Sequence, residues 1–211
     1  MDNNSKIMRR TISILLVFNL WISLSAANSY CLGKNDVHRL NHQIKRELEA
    51  SIFYMAASHY FERSDMALHG VSKFFHKMSS EEKGHADKLM TYMNMRRSPP
   101  KTPNVTVCED LTGNSLAGLC KKLTGTVPTP NKIDMLQKAM TMANDLEKAI
   151  FKKLREIAKA TSDHELKYFI AHEFLEEQVK SIKQISDYET QLKKMGSGLG
   201  FYIFDQWFYQ H

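Results

Sequence analysis

The chain is short of the residues that interrupt or cross-link a fold. Its 211 residues include only three cysteines, Cys31, Cys108 and Cys120, an odd count that leaves one over if two of them pair. All five prolines fall between residues 99 and 130, and the nine glycines follow no repeat. This scarcity excludes collagen, extended disorder and low complexity, and with 43% hydrophobic residues it suits one globular domain. One-sided charge is lacking too: 29 basic side chains face 23 acidic ones, and no basic run is interleaved with aromatics. Nucleic acid is therefore not an expected partner.

The first 27 residues stand apart. Lys6, Arg9 and Arg10 form a basic start, Thr11 to Leu24 is apolar, and Ser25-Ala26-Ala27 offers small residues for cleavage. This is the pattern of a secretory signal peptide, and its apolar stretch is short for a bilayer-spanning helix. The expected mature domain runs over residues 28–211, in the secretory lumen or outside the cell, with no membrane partner. All three cysteines lie beyond the leader and would meet an oxidising compartment.

What is abundant is helical periodicity. From Asp36 to Arg63 the residues Val37, Leu40, Ile44, Leu48, Ile52 and Met55 recur at steps of three and four, which predicts a helix about 40 Å long. A second is expected from Gly70 to Arg96, with Phe75, Met78 and Leu89 on one stripe, ending before Ser98-Pro99-Pro100. Residues 98–131 carry the prolines and read as a long connection. Periodicity resumes at Ile133, pauses at Thr161-Ser162-Asp163, where Asp163 is a candidate N-cap, and continues to Leu192. Gly196, Gly198 and Gly200 stop that helix, and Phe201 to Tyr209 forms a short aromatic fifth segment. The expectation is an all-α four-helix bundle with one long crossover.

Each core stripe is breached by polar groups. Helix one reads Leu40, Ile44, Glu47, Ser51, Tyr54; helix two reads Phe75, Met78, Glu82, His85, Leu89. Helix three reads Met140, Ala143, Glu147, Ile150, Leu154; helix four reads Ile170, Phe174, Gln178, Ser181, Ile185. Three carboxylates and an imidazole facing one interior are costly unless something cationic neutralises them, and no Lys or Arg occupies these stripes. Carboxylate oxygens with one imidazole suit a pair of first-row ions such as iron or manganese. Helix two has Glu82-x-x-His85, whereas helix four has no His three residues after Glu173, Glu176 or Glu177. One ion is therefore expected to be held firmly and the other loosely, which favours turnover.

The stretches Arg46-Glu47-Leu48-Glu49-Ala50-Ser51, Ser80 through Met90, Asp145-Leu146-Glu147-Lys148 and Leu175-Glu176-Glu177-Gln178-Val179-Lys180 closely resemble the animal ferritins. The resemblance spans nearly all of the chain after the leader except residues 98–131. It implies the heavy, catalytic type, because Glu47, Tyr54, Glu82, His85, Glu147 and Gln178 fill every ferroxidase position. It further implies a ferritin-like bundle with a short fifth helix, and oxidation of ferrous iron by dioxygen at a di-iron site. Storage as ferric mineral would follow inside a 24-subunit shell, built of this chain or mixed with a second ferritin chain. Glu47 and His85 would hold the firmer ion, Glu82 would bridge, Glu147 and Gln178 would attend the looser one, and Tyr54 would lie beside the pair.

Departures from the family pattern accompany the matches. Tyr168 and Ala171 stand where two channel acids are usual, with His172 and Glu173 one step along. Gly84 replaces a cavity-facing Glu, leaving Glu81 and Asp87 as the nearer mineral-nucleating candidates. Cys108 and Cys120 are expected to pair, leaving Cys31 free or cross-linking a neighbour, and Asn104-Val105-Thr106 is a glycosylation acceptor sequence. The competing readings are a secreted non-catalytic bundle, structural or cytokine-like, and a di-iron oxidase of an organic substrate. The filled six-residue constellation argues against the former and the missing second Glu-x-x-His against the latter.

Overall fold

The structure, a computed structural model, describes residues 30–105, 132–195 and 198–210. The expected leader, Cys108, Cys120 and Thr106 of the glycosylation sequence lie outside the described residues. Within them the chain is all-helical: α1 (Lys34–Glu62), α2 (His69–Met95), α3 (Lys132–Ala160), α4 and α5 (Leu199–Gln210). Helix α4 opens as His164–Ile170, widens into a π-helical turn at Ala171–Leu175 and continues as Glu176–Met195. No strand occurs among the described residues, and none of their helices is long and apolar enough to cross a membrane.

Side-chain ties fix the topology. Ser51 and Ser79 exchange hydrogen bonds, each Oγ donating to the other's backbone carbonyl at 2.8 Å, which brings α1 and α2 close as an antiparallel pair. Asp36 at the start of α1 accepts from Thr161 just past the end of α3 at 2.9 Å, so these two helices are antiparallel as well. Arg96, just past α2, pairs with Asp163 at 2.5 Å, immediately before α4. Helices α2 and α3 therefore run in the same direction, and the chain between them has to travel the length of the bundle, as a bundle with one long crossover requires. Asp163 is the predicted N-cap: its carboxylate accepts from the backbone N–H of Leu166 at 2.9 Å, and the Arg96 guanidinium holds its carboxyl below the usual range.

The core follows the predicted stripes in α2, α3 and α4 and departs from one of them in α1. Leu40 and Ile44 are fully buried, yet Leu48 and Ile52 are only half-buried and Met55 is 44% exposed. A row advanced by steps of four gains about 40° each time on a helix of 3.6 residues per turn, so it rotates off the core. The buried side continues instead through Glu47, Tyr54, Ala57 and Phe61. Four consecutive apolar or amide positions in α4, Leu166, Ile170, Phe174 and Gln178, also sit four apart, but these stay buried because the wide π-helical turn absorbs the drift.

Helix α5 lies across the start of α2. A Cβ at Gly70 would come 1.8 Å from the carbonyl oxygen of Asp205, so only glycine allows this approach, and the Asp205 carboxylate accepts from the Val71 N–H at 3.0 Å. Phe204 and Phe208 are buried against Tyr188, and Phe208 also against Phe74, in their own bundle. Leu199, Tyr202, Ile203, Trp207 and Tyr209 remain exposed. The aromatic tail is thus divided, one face packed within the chain and the other open.

Candidate metal centre

All six side chains singled out from the sequence are buried, and they meet between the four helices. Glu47, Tyr54 and Glu147 are fully buried, Glu82 and Gln178 are 1% exposed and His85 is 4% exposed. Ligand atoms of Glu47, Glu82 and His85 lie within 4.8 Å of one another. His85 Nδ1 is 3.5 Å from Glu82 Oε2, as a Glu-x-x-His pair on one helix face allows. On the other side, the Tyr54 hydroxyl donates to Glu147 Oε1 at 2.6 Å, which ties α1 to α3.

The electrostatics are one-sided. Buried polar and charged side chains among the described residues include Glu47, Glu82, Glu147 and His85 but no Lys or Arg. Burial pushes Glu47 well above the usual carboxylate range, and the nearby Glu82 adds to it. Glu82 is likewise raised well above by burial and by the charge of Glu147. Glu147 is raised by burial against the opposing hydrogen bond from Tyr54. Burial and the neighbouring carboxylates raise the Tyr54 phenol too, so it remains a donor. Glu47 Oε2, Glu147 Oε2 and Gln178 Oε1 have no hydrogen-bond partner, which is costly in a dry interior. Oxygen donors held without protein partners, and without a protein cation, are what hard or borderline divalent ions require.

Two side chains that the sequence reading did not place belong to this centre. Gln43 Nε2 donates to Glu47 Oε1 at 2.8 Å and orients it; its position one turn before Glu47 on the same face was the available signal. Glu177 reaches back so that its Oε2 lies 3.2 Å from His85 Nε2, while its side chain remains 47% exposed. A cavity of about 130 Å³ extends from Glu82, His85, Glu147 and Gln178 to the half-exposed Glu81 and Glu177. Glu81 also approaches Lys77 at 3.6 Å, Asp87 is exposed, and Gly84 faces open space.

The departures noted near the start of α4 have a clear arrangement. Tyr168 is 66% exposed and stacks on His172 with ring centroids 5.5 Å apart. Glu173 lies 3.3 Å from His172 and 3.7 Å from Lys88. Its charge is therefore partly answered, and it does not stand as a free acidic group on that face.

A family profile described as Ferritin, Ferritin-like domain, matches residues 37–195, which takes in α1 from Val37 onward, the whole of α2, α3 and α4, and all six buried groups. The chain belongs to the ferritin family. It is 41% identical over 170 residues to the soma ferritin of Lymnaea stagnalis, covering 79% of this chain and 86% of that one. It is 37% identical over 170 residues to the ferritin-2 heavy chain of Schistosoma mansoni, covering 79% and 87%. To a ferritin of Pacifastacus leniusculus it is 37% identical over 172 residues, covering 81% and 86%. Membership of the ferritin family follows from the profile and these animal relatives, the four-helix bundle with its fifth helix is consistent with it, and a carboxylate and imidazole cluster fit for a metal lies in the bundle interior.

Proposed function

We propose that this chain is a heavy-type ferritin subunit that oxidises ferrous iron with dioxygen and stores the ferric product inside a 24-subunit shell. Iron is the substrate and cargo. One observation carries the reading: three buried carboxylates, two of which (Glu47 and Glu147) keep an oxygen without a partner, share an interior in which no lysine or arginine is buried among the described residues. Two divalent ions would supply the missing positive charge and displace the protons that burial otherwise retains.

In this reading Glu47 and His85 hold one ion, Glu82 reaches both, and Glu147 with Gln178 attends the second. Each ferrous ion gives one electron to dioxygen, and the site's contribution is to hold two donors together so that a single dioxygen meets both. Tyr54 keeps Glu147 aimed by its hydrogen bond, and Gln43 does the same for Glu47. The half-exposed Glu177 and Glu81 at the cavity mouth offer the ferric product a polar way out. We also read residues 1–27 as a secretory leader, with the mature domain over residues 28–211, and the shell as built of this chain alone or mixed with a second ferritin chain.

The test is iron loading. Ferrous iron and air added to the purified protein are expected to give fast ferric absorbance and iron that co-elutes with a large soluble particle. The Glu82→Ala, His85→Ala double variant is expected to assemble equally and oxidise slowly. Equal kinetics in the two proteins, or iron that never elutes with protein, would overturn the assignment.

A further inference from the structure

A second site lies on the outside of the bundle, over the first turns of α1. Lys34, His38, His42 and Lys45 follow one another at helical spacing along roughly 16 Å of that helix. The segment after α2 runs beside them: the Lys101 backbone N–H donates to Asn41 Oδ1 at 2.7 Å, which places Lys101 next to the row. The open groove measures about 450 Å³, and no acidic side chain lines it among the described residues. On the far side of the histidines a second hollow of about 370 Å³ is bounded by Arg39, Arg46, Lys153 and Glu156. The His38 and His42 rings meet edge to face at 4.5 Å and form the wall shared by both.

Much of the local acid is already committed. Arg39 pairs with Asp36 at 2.9 Å, Lys153 with Glu156 at 2.8 Å, and Lys45 approaches Glu49 at 3.4 Å. Lys34, Arg46 and Lys101 have no ion pair among the described residues. The groove therefore holds excess positive charge among the described residues, an arrangement that concentrates anions. Val37 and Pro103 are the apolar residues of its lining, and the polar groups that face a ligand there are ammonium, imidazole and amide groups, so a compact ligand with several negative charges gains most. The Lys34, Lys45 and Lys101 ammonium groups spread along the row match phosphate groups repeated along a short chain.

We propose that this groove is a binding site for a multiply charged phosphate anion, such as a short linear polyphosphate, lying across the His38–His42 pair between Lys34, Lys45 and Lys101. Bound anion would offset the repulsion that His42 meets from His38, Lys45 and Arg46. That repulsion, together with burial, which is the larger cause, already lowers the His42 pKa. The groups facing the imidazoles are Lys34, Arg39, Lys45 and Arg46 from α1, Lys101 from the segment after α2, and Lys153 and Glu156 from α3, of which only Glu156 is acidic. Anion binding is therefore linked to proton uptake and strengthens as pH falls through the histidine range.

The site is read on iron-free, full-length protein with sodium tripolyphosphate as probe, so the outcome is independent of the oxidation chemistry. Calorimetric titration at low salt is expected to show saturable binding that weakens with added salt and tightens several-fold between pH 7.5 and pH 6. The Lys34→Gln, Lys101→Gln variant is expected to bind about tenfold more weakly. The His38→Gln, His42→Gln variant is expected to lose the protein's share of the pH response, read against the probe's own titration, while still binding at pH 7.5. Absence of saturable binding at millimolar probe, or unchanged affinity in the lysine variant, would overturn the proposal. So would capture of a sulfated polysaccharide with no binding of tripolyphosphate.

Discussion

The two sides of the buried centre are built differently. On the α1–α2 side, Glu47, Glu82 and His85 already bring ligand atoms within 4.8 Å of one another, and Gln43 braces Glu47. Two of these three come from successive turns of a single helix, and the serine exchange between Ser51 and Ser79 locks that helix to its neighbour. On the α3–α4 side, Glu147 and Gln178 come from separate helices and each keeps an oxygen without a partner; Glu47 also keeps one, but it already lies within the gathered group of three. Their relative position depends on a π-helical turn that ends three residues before Gln178. One side is organised before any ion arrives and the other is left to be completed by one. A site that has to release its product is served by such inequality, because two equally firm sites would retain both ions.

The largest expected effect tests the organised side. On the proposed function, Glu82→Ala with His85→Ala removes a group shared by both ions and the imidazole, and ferrous oxidation is expected to fall roughly a hundredfold or more. Glu147→Ala should cost less, since it removes only a ligand of the weaker position. Stopped-flow ferric absorbance ranks them, and a larger loss in the Glu147 variant would reverse the comparison. Next in size is Gln178→Glu, which gives the open side a fourth carboxylate. Tighter binding at the second position, by about tenfold, is expected together with slower repeated turnover. Faster turnover in this variant would show that loose binding is not what sustains the cycle.

Protonation offers a third test, on both sides at once. Glu47, Glu82 and Glu147 are all raised in the folded, metal-free protein, so folding retains protons that the unfolded chain would release. The sign follows: their contribution to stability is full below the ordinary carboxylate range of about pH 4.5 and is lost as pH rises through the folded values. A divalent ion replaces those protons. Stabilisation by zinc, a redox-inert probe, is therefore expected to grow from pH 5.5 to pH 7.5, measured as the shift in thermal midpoint with and without zinc. Zinc stabilisation that shrinks over this interval would contradict the buried-carboxylate account.

The sequence carried more of the centre than of its surroundings. Each breach in an apolar stripe is a local event, a Glu or Gln where steps of three and four call for an apolar residue, and it was legible one helix at a time. Glu82 and His85 were legible as a pair because a single turn sets their distance. The pairing of Tyr54 with Glu147, 93 residues apart, was not, since it depends on how α1 and α3 pack. Glu177 was missed for the opposite reason: it neighbours Gln178 in sequence, lies a third of a turn away on a helix, and reaches His85 only through its long side chain. The three successive steps of four from Leu166 to Gln178 were visible, but a wide turn and an α-helix drifting off the core leave the same apolar spacing, and only packing separates them. In α5 the two faces are both aromatic, so composition alone did not say that Phe204 and Phe208 turn inward while Trp207 stays partly open.

The smallest effect belongs to the buried bond that joins α1 to α3 across the centre. Tyr54→Phe keeps the ring packed near Phe75, at centroids 6.1 Å apart, and removes only the hydroxyl that donates to Glu147. In the metal-free protein Glu147 would then lose its 2.6 Å donor, at a cost of about 1–3 kcal/mol for the lost satisfaction of a buried acceptor. With a divalent ion bound, the ion supplies what the phenol did, and the cost should largely disappear. Oxidation is expected to slow only a few-fold, because the carboxylate remains but is less well aimed. Chemical denaturation of the variant and parent, with and without zinc, checks this. A stability loss that persists undiminished in zinc would mean that Tyr54 supports the fold alone and that the hydroxyl does not position Glu147 for the ion.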